Sequence, residues 1–393
     1  MPNRTLVVGV GMIPFMKPGT SPPYYEMGAQ ATRAAIADSG LAYSDIEQAF
    51  TAYVLGASTC GQRALYEVGM TGIPIVNVNN NCSSGATALY LARQVVECGA
   101  VNCAIAVGFE QMLPGPLGGE LSDRPNPLER FTDTLAKLDG PAKVPGAAVL
   151  FGPAKLEYIR QHGTPREIFA EVSVKARRHA VNSPYAVFRT PITIEEVLHS
   201  AEIYPGLTKL EACPPTCGAA AAIVCSESFA KRRNLNAGVA IRAQSLTSDT
   251  GDTFAGGTIS DLLGKAMIRR AAQQVYESAG LGPEDIDVIE MHDCFVINEI
   301  LNYENLGLVE EGGAEKLIRD GDNTFGGRFV INPSGGLLSK GHPLGATGLA
   351  QCAELVWQLR GVARGRQVDG ARLGLQHNVG LGSACVVTLF ERV

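Results

Sequence analysis

Two stretches of this chain occur twice, in the same order, and this limits the folds open to it more than any other feature. Ser39-Gly40-Leu41 with Asp45-Ile46 reappears as Ala279-Gly280-Leu281 with Asp285-Ile286, an offset of 240 residues from 39 to 279. Gly85-Ala86-Thr87-Ala88-Leu89 reappears as Gly345-Ala346-Thr347-Gly348-Leu349, an offset of 260 from 85 to 345. The kept order points to two equivalent halves within 393 residues, with the extra 20 residues placed in the stretch Glu310 to Gly327. Position 82 then maps on to position 342, which pairs Cys82 with His342.

Between these marks, short apolar runs (RTLVVGVGM, IPIVNVN, NCAIAVGF, VAIRAQSL, DVIEMHD, CVVTLF) read as buried strands. They alternate with segments of helical spacing at Met27 to Ser39, Ala86 to Cys98, Asp261 to Ala279 and Ala346 to Leu359. Strand and helix in alternation make a layered α/β protein. No apolar run approaches the roughly 18 residues of a membrane span. The net charge of −6 argues against wholesale nucleic-acid binding. With no signal-peptide pattern at the N-terminus, the chain is expected inside the cell. Its ten cysteines include no CxxC pair, so neither disulfides nor a structural metal is expected.

The stretch Gly118 to Tyr204 has no counterpart in the second half and reads as an insertion. From Phe151 to Thr190 it carries seven Lys or Arg, among them Lys175, Arg177 and Arg178, against three acids. Such a stretch is either a solvated helical surface or a clamp for a phosphate-bearing ligand.

Four loops carry candidate chemistry. In Asn79-Asn80-Asn81-Cys82-Ser83-Ser84-Gly85, Cys82 lies between a strand and a helix N-terminus, where the helix dipole is expected to lower a thiol pKa from its free value of about 8.5. Ser339-Lys340-Gly341-His342-Pro343-Leu344-Gly345 presents His342 before the equivalent helix, and a Cys–His pair is the smallest activated nucleophile. His292-Asp293-Cys294-Phe295 follows a third strand. It is a poor metal site, lacking a third partner at ligand spacing, but its second thiol suits proton transfer. Gln376-His377-Asn378-Val379-Gly380-Leu381-Gly382-Ser383 offers glycine N–H groups as oxyanion donors, or is a plain hairpin turn.

These four loops, at these separations, resemble the thiolase superfamily, and their wording resembles its sterol-carrier-protein type over about Leu6 to Val393. Ser122-Asp123-Arg124, Ile331 to Gly336 and Ala350 to Gly361 add to the likeness. The resemblance implies two similar βαβαβ-type halves in α/β/α/β/α layers, with a loop domain inserted in the first. The halves would be residues 1–117 with 205–235, and 236–393; the insertion would be 118–204. It also implies a homodimer or dimer of dimers that takes acyl-CoA and coenzyme A as substrates, without a tightly bound cofactor.

For the site, the resemblance implies that Cys82 attacks a 3-ketoacyl-CoA with His342 as base. Cys294 would protonate the departing acetyl-CoA or propionyl-CoA carbanion. One oxyanion would sit between His342 and His292, the other between the N–H of Cys82 and that of Gly380 or Gly382. Lys175, Arg177 and Arg178 fall where the family's loop domain holds the CoA phosphates. His377 and Asn378 stand where most thiolases keep an acid/base cysteine, a duty passed to Cys294. Cys217 replaces the family's Asp before the Gly-Ala-Ala-Ala run, which should change local packing. The alternatives are a thiolase-like aldolase, a ketosynthase, and a non-catalytic lipid or acyl-CoA carrier; Cys82 argues against the first. The C-terminal Glu391-Arg392-Val393 is no Ser-Lys-Leu signal, so a bacterial cytoplasm is expected.

Overall fold

A computed structural model describes residues 4–115, 123–140, 144, 146–235 and 238–393. Ser122 of the Ser-Asp-Arg match and the domain boundaries at 118 and 236 lie outside the described residues.

The strands are β1 (Thr5–Met12), β2 (Gln48–Ala52), β3 (Ile75–Val78), β4 (Cys103–Glu110), β5 (Glu202–Tyr204), β6 (Leu207–Thr208), β7 (Gly218–Ser226), β8 (Val239–Thr247), β9 (Val288–Glu290), β10 (Val330–Ile331), β11 (Leu373–Gly380) and β12 (Ala384–Arg392). Apart from the β5–β6 hairpin, they run in the order β10-β9-β11-β12-β8-β1-β7-β4-β2-β3. Matching β1, β2, β3, β4 and β7 with β8, β9, β10, β11 and β12 turns one end of that order into the other. The duplication expected from the repeated segments is therefore the architecture. The halves join where Leu6 of β1 pairs with Ala240 of β8.

Strand periodicity sorts side chains into layers. On β1 and β4, Val7, Val10, Ala104 and Ala106 face a core shared with the helices Ser84–Glu97 and Leu344–Arg360. Their neighbours Leu6, Val8, Ile105 and Val107 face the opposite way, toward the helix Tyr24–Ser39. In the second half, Leu375, Val387 and Leu389 join an outer core built with the insertion residues Leu150, Phe151 and Phe169. The insertion, with helices Glu129–Asp139, Ala148–His162 and Arg166–Ala180, thus packs on the second half.

The repeated Gly-Ala-Thr segments are the contact between the two central helices. A Cβ on Gly85 would lie 2.6 Å from Gly345 O, and one on Gly348 would lie 2.2 Å from Ala86 N. One expected helix is divided: Asp261 to Ala279 becomes Ile259–Leu262 and Lys265–Ala279, because Gly264 adopts φ 87°. Among the described residues, no helix is long and apolar enough to cross a membrane.

Candidate active site

The fold puts the Cys82 and His292 loops at strand ends and the His342 loop between the turn Gly336–Lys340 and the second central helix, while Gln376 to Gly380 are strand residues of β11 and only 381–383 turn into β12. In the first, Asn81 takes φ 51°, a left-handed turn that Asn tolerates, and the helix starts at Ser84. Hydrogen bonds from Ser83 N to Asn80 O (3.2 Å) and from Ser84 N to Asn81 O (3.0 Å) close the turn that presents Cys82. Gly380 presses on it from the closing loop: a Cβ there would be 2.1 Å from Asn80 O.

The sulfur of Cys82 and a ring nitrogen from each of His292 and His342 all lie within 4.8 Å of one another, and all three residues are buried. The imidazoles meet edge to face with centroids 5.0 Å apart. The partner that sequence spacing did not supply for His292 is thus provided in space, by the Cys82 and His342 loops and not by Cys294. His/Cys trios at this spacing can also hold a metal ion.

The same device anchors both loops. Thr87 donates to Ser83 O (3.0 Å) and accepts from Asn80 Nδ2 (3.1 Å). At the equivalent position, Thr347 donates to Pro343 O (3.0 Å) and meets His342 Nδ1 at 2.7 Å. An amide nitrogen only donates, so the Thr87 hydroxyl is an acceptor there. The matching arrangement in the second half makes His342 Nδ1–H the donor and leaves a lone pair on Nε2, a buried atom with no hydrogen-bond partner. Thr216 Oγ1 accepts the His342 backbone N–H at 2.6 Å.

Burial overrules the expected helix effect on the thiol. It pushes Cys82 up to about 12, with Glu110 raising it further, against lowering by the backbone N–H groups of Cys82 and Leu381. Burial holds His342 down to about 3. The resting pair is therefore thiol and neutral imidazole, not thiolate and imidazolium. The closing-loop N–H that reaches the Cys82 sulfur is that of Leu381, which lies between Gly380 and Gly382.

Cys294 is buried, and burial, together with Cys213, Cys82 and Asp293, holds its pKa well above the usual thiol value. Sequence reading missed Cys213, whose N–H donates to Cys294 O at 2.8 Å beside the Ala212–Phe295 bridge. Asp293 serves as an anchor: its carboxylate accepts from Leu337 N (2.6 Å) at the start of the histidine loop. Lys340 reaches Glu290 (3.2 Å) and Ser334 (2.8 Å), fixing the loop from its other side.

The phosphate clamp needs correction. Lys175 is 3 % exposed and ion-paired with Glu299 beside Tyr303, so it holds the core together and cannot meet a ligand in solvent. Arg177 lies over the Phe188 ring at 4.3 Å, and Arg178 is exposed with Thr324 at 3.3 Å. Cys217 is buried in place of the expected carboxylate, its N–H bonding Met16 O (2.8 Å) and its thiol approaching Met112 O (3.5 Å).

Comparison with known proteins agrees with this geometry. Residues 5–228 match the family model "Thiolase, N-terminal domain" and residues 252–392 match "Thiolase C-terminal domain-like". The chain is 52% identical to "Sterol carrier protein 2" of Rattus norvegicus, over 99% of this chain and 72% of that protein. It is 34% identical to an "Acetyl-CoA acetyltransferase" of Methanothermobacter thermautotrophicus, over 94% of each. Among solved structures, an "Ltp2-ChsH2(DUF35) aldolase" superposes with TM-score 0.83 at 24% identity, covering 100% of this chain and 98% of that one. Human mitochondrial 3-ketoacyl-CoA thiolase in complex with CoA superposes with TM-score 0.74 at 17% identity, with coverages of 100% and 98%.

Proposed function

The chain belongs to the thiolase family, and from that premise we propose that it cleaves 3-ketoacyl-CoA with CoA, or runs the reverse condensation. The observation that carries the reading is the buried trio of Cys82, His342 and His292, with Cys294 beside it. Cys82 gives its proton to His342 Nε2 as its sulfur bonds the 3-keto carbon. The negative oxygen lies against His342, now carrying that proton, and His292. When the C2–C3 bond breaks, its electron pair leaves on acetyl-CoA or propionyl-CoA, and Cys294 protonates that carbon. A second CoA thiol then gives its proton to Cys294 and takes the acyl group, and Cys82 regains its proton from His342. The steps need only proton and acyl transfers, with CoA as substrate and no resident cofactor.

Arg177 and Arg178 supply the charge for the CoA phosphates. A homodimer fits the edge strand β3, whose Val76 is 40% exposed close in sequence to the exposed Tyr66 and Met70. The name of the rat relative favours a second reading, sterol or lipid binding without chemistry.

A cleavage assay on a 3-ketoacyl-CoA, followed by enolate absorbance, separates the two. Turnover that needs CoA and is lost in both Cys82→Ala and Cys294→Ala supports the thiolase. Binding of the ester without turnover supports the carrier.

A further inference from the structure

Asn378 has no part in the reaction above, yet it touches one of its residues. Parallel pairing of β11 with β9 matches Gln376 with Glu290, and two residues further along the same register Asn378 arrives beside His292. Its Nδ2 lies 3.0 Å from His292 Nδ1, with both residues buried. Other contacts keep the histidine in place. Its carbonyl accepts from Asn298 Nδ2 (2.7 Å) and Asn302 Nδ2 (2.8 Å), one turn apart on the helix Val296–Asn305, and its N–H faces His377 Nδ1 at 3.5 Å.

An amide nitrogen donates and cannot accept, so the lone pair of His292 must be on Nδ1 and the proton of the neutral ring on Nε2. Turning the amide over would leave a buried NH2 group orphaned in place of Oδ1, the atom that now has no partner. We propose that Asn378 is a positioning residue: it locks His292 as the Nε2–H tautomer, so that a permanent N–H donor faces the oxyanion opposite His342. This rests on the acyl-transfer reading. The neighbouring imidazoles are thereby set to opposite tasks, His342 by a hydroxyl acceptor as a base, His292 by an amide donor as an acid-side hydrogen bond.

The test is the tautomer itself, read by long-range 1H–15N correlation on labelled wild type, with His292 identified by the signal lost in His292→Gln. An Nε2–H signal is expected; an Nδ1–H signal overturns the inference. Asn378→Asp, whose carboxylate only accepts, should move the proton to Nδ1 and lower kcat by about 10²–10³-fold, the usual effect of losing one oxyanion donor, with KM little changed. Asn378→Ala, which frees the ring to take either tautomer, should fall between. Wild-type kcat in Asn378→Asp overturns the proposal, and the wild-type signal decides alone if that variant does not fold. Because the tautomer is read without substrate, a wild type showing Nε2–H that fails to acylate Cys82 keeps the assignment and removes only the thiolase reading.

Discussion

The Cys82 and His342 loops occupy the same place in the two halves, but different contacts hold them. The Cys82 turn is held within a few residues of itself: a left-handed Asn81, the close approach of Gly380, and short-range hydrogen bonds of Ser84 Oγ with Asn81 O (2.6 Å) and Asn80 N (2.9 Å). Its helix is half-buried, with Gln94 exposed. The His342 loop leads into a helix buried almost all round and is held by polar side chains: Thr347, Thr216, Asp293, and Lys340 with Glu290. The shared hydroxyl, Thr87 or Thr347, anchors Asn80 in one half and His342 in the other. One loop geometry thus recurs in the two halves, held by short-range contacts around Cys82 and by a longer-range hydrogen-bond network around His342.

Breaking the polar side should cost most in stability. Lys175→Met leaves Glu299 buried without its cation, and chemical denaturation should show a loss of about 3–5 kcal/mol. Arg178→Ala, on the exposed surface, should change only KM for CoA. A CoA effect from Lys175→Met with unchanged stability would return that lysine to the phosphate clamp.

On the Cys82 side, Gly380→Ala places a Cβ against Asn80 O and should shift the nucleophile turn. A misplacement of that size lowers kcat by about 10²-fold while leaving His342 and its hydrogen bonds intact. Full activity would show that the turn is held by something other than this contact. Thr347→Val removes the acceptor of His342 Nδ1, which should lower kcat about tenfold, while Thr87→Val leaves the base untouched and acts only through Asn80. Equal pH–rate changes in both would erase the distinction between the halves.

Acid acts on several buried imidazoles at once. Burial holds His179, His342 and His377 down to about 3 and His292 well below its usual value. Bases that bind protons more weakly when folded contribute stability that is complete above the unfolded pKa of about 6.5 and is lost as pH falls below it, by up to about 1.4 kcal/mol per imidazole per pH unit. Thermal melts at pH 7, 6 and 5 should step downward. A flat series would mean that the imidazoles are not held neutral.

Much of this was legible in the sequence, where local signals survive. The 260-residue offset placed Cys82 opposite His342, and turn chemistry located the Cys82 and His292 loops at strand ends. Partnerships made by strand register were not legible: nothing in the local sequence of Asn378, Thr216 or Cys213 shows what each will touch. Lys175 was misread because a basic stretch does not show which of its residues faces the core, and at helical spacing from Arg178 only three dimensions decide. The thiol pKa was misjudged for the same reason, since burial is a tertiary property and here exceeds the helix N-terminus.

The central claim, that Cys82 is a covalent nucleophile, is tested most directly by intact mass after adding a 3-ketoacyl-CoA without CoA. The account predicts one acyl group per chain, mapped to the peptide holding Cys82, absent in Cys82→Ala and discharged by added CoA. An unmodified chain that still turns the ester over would contradict it.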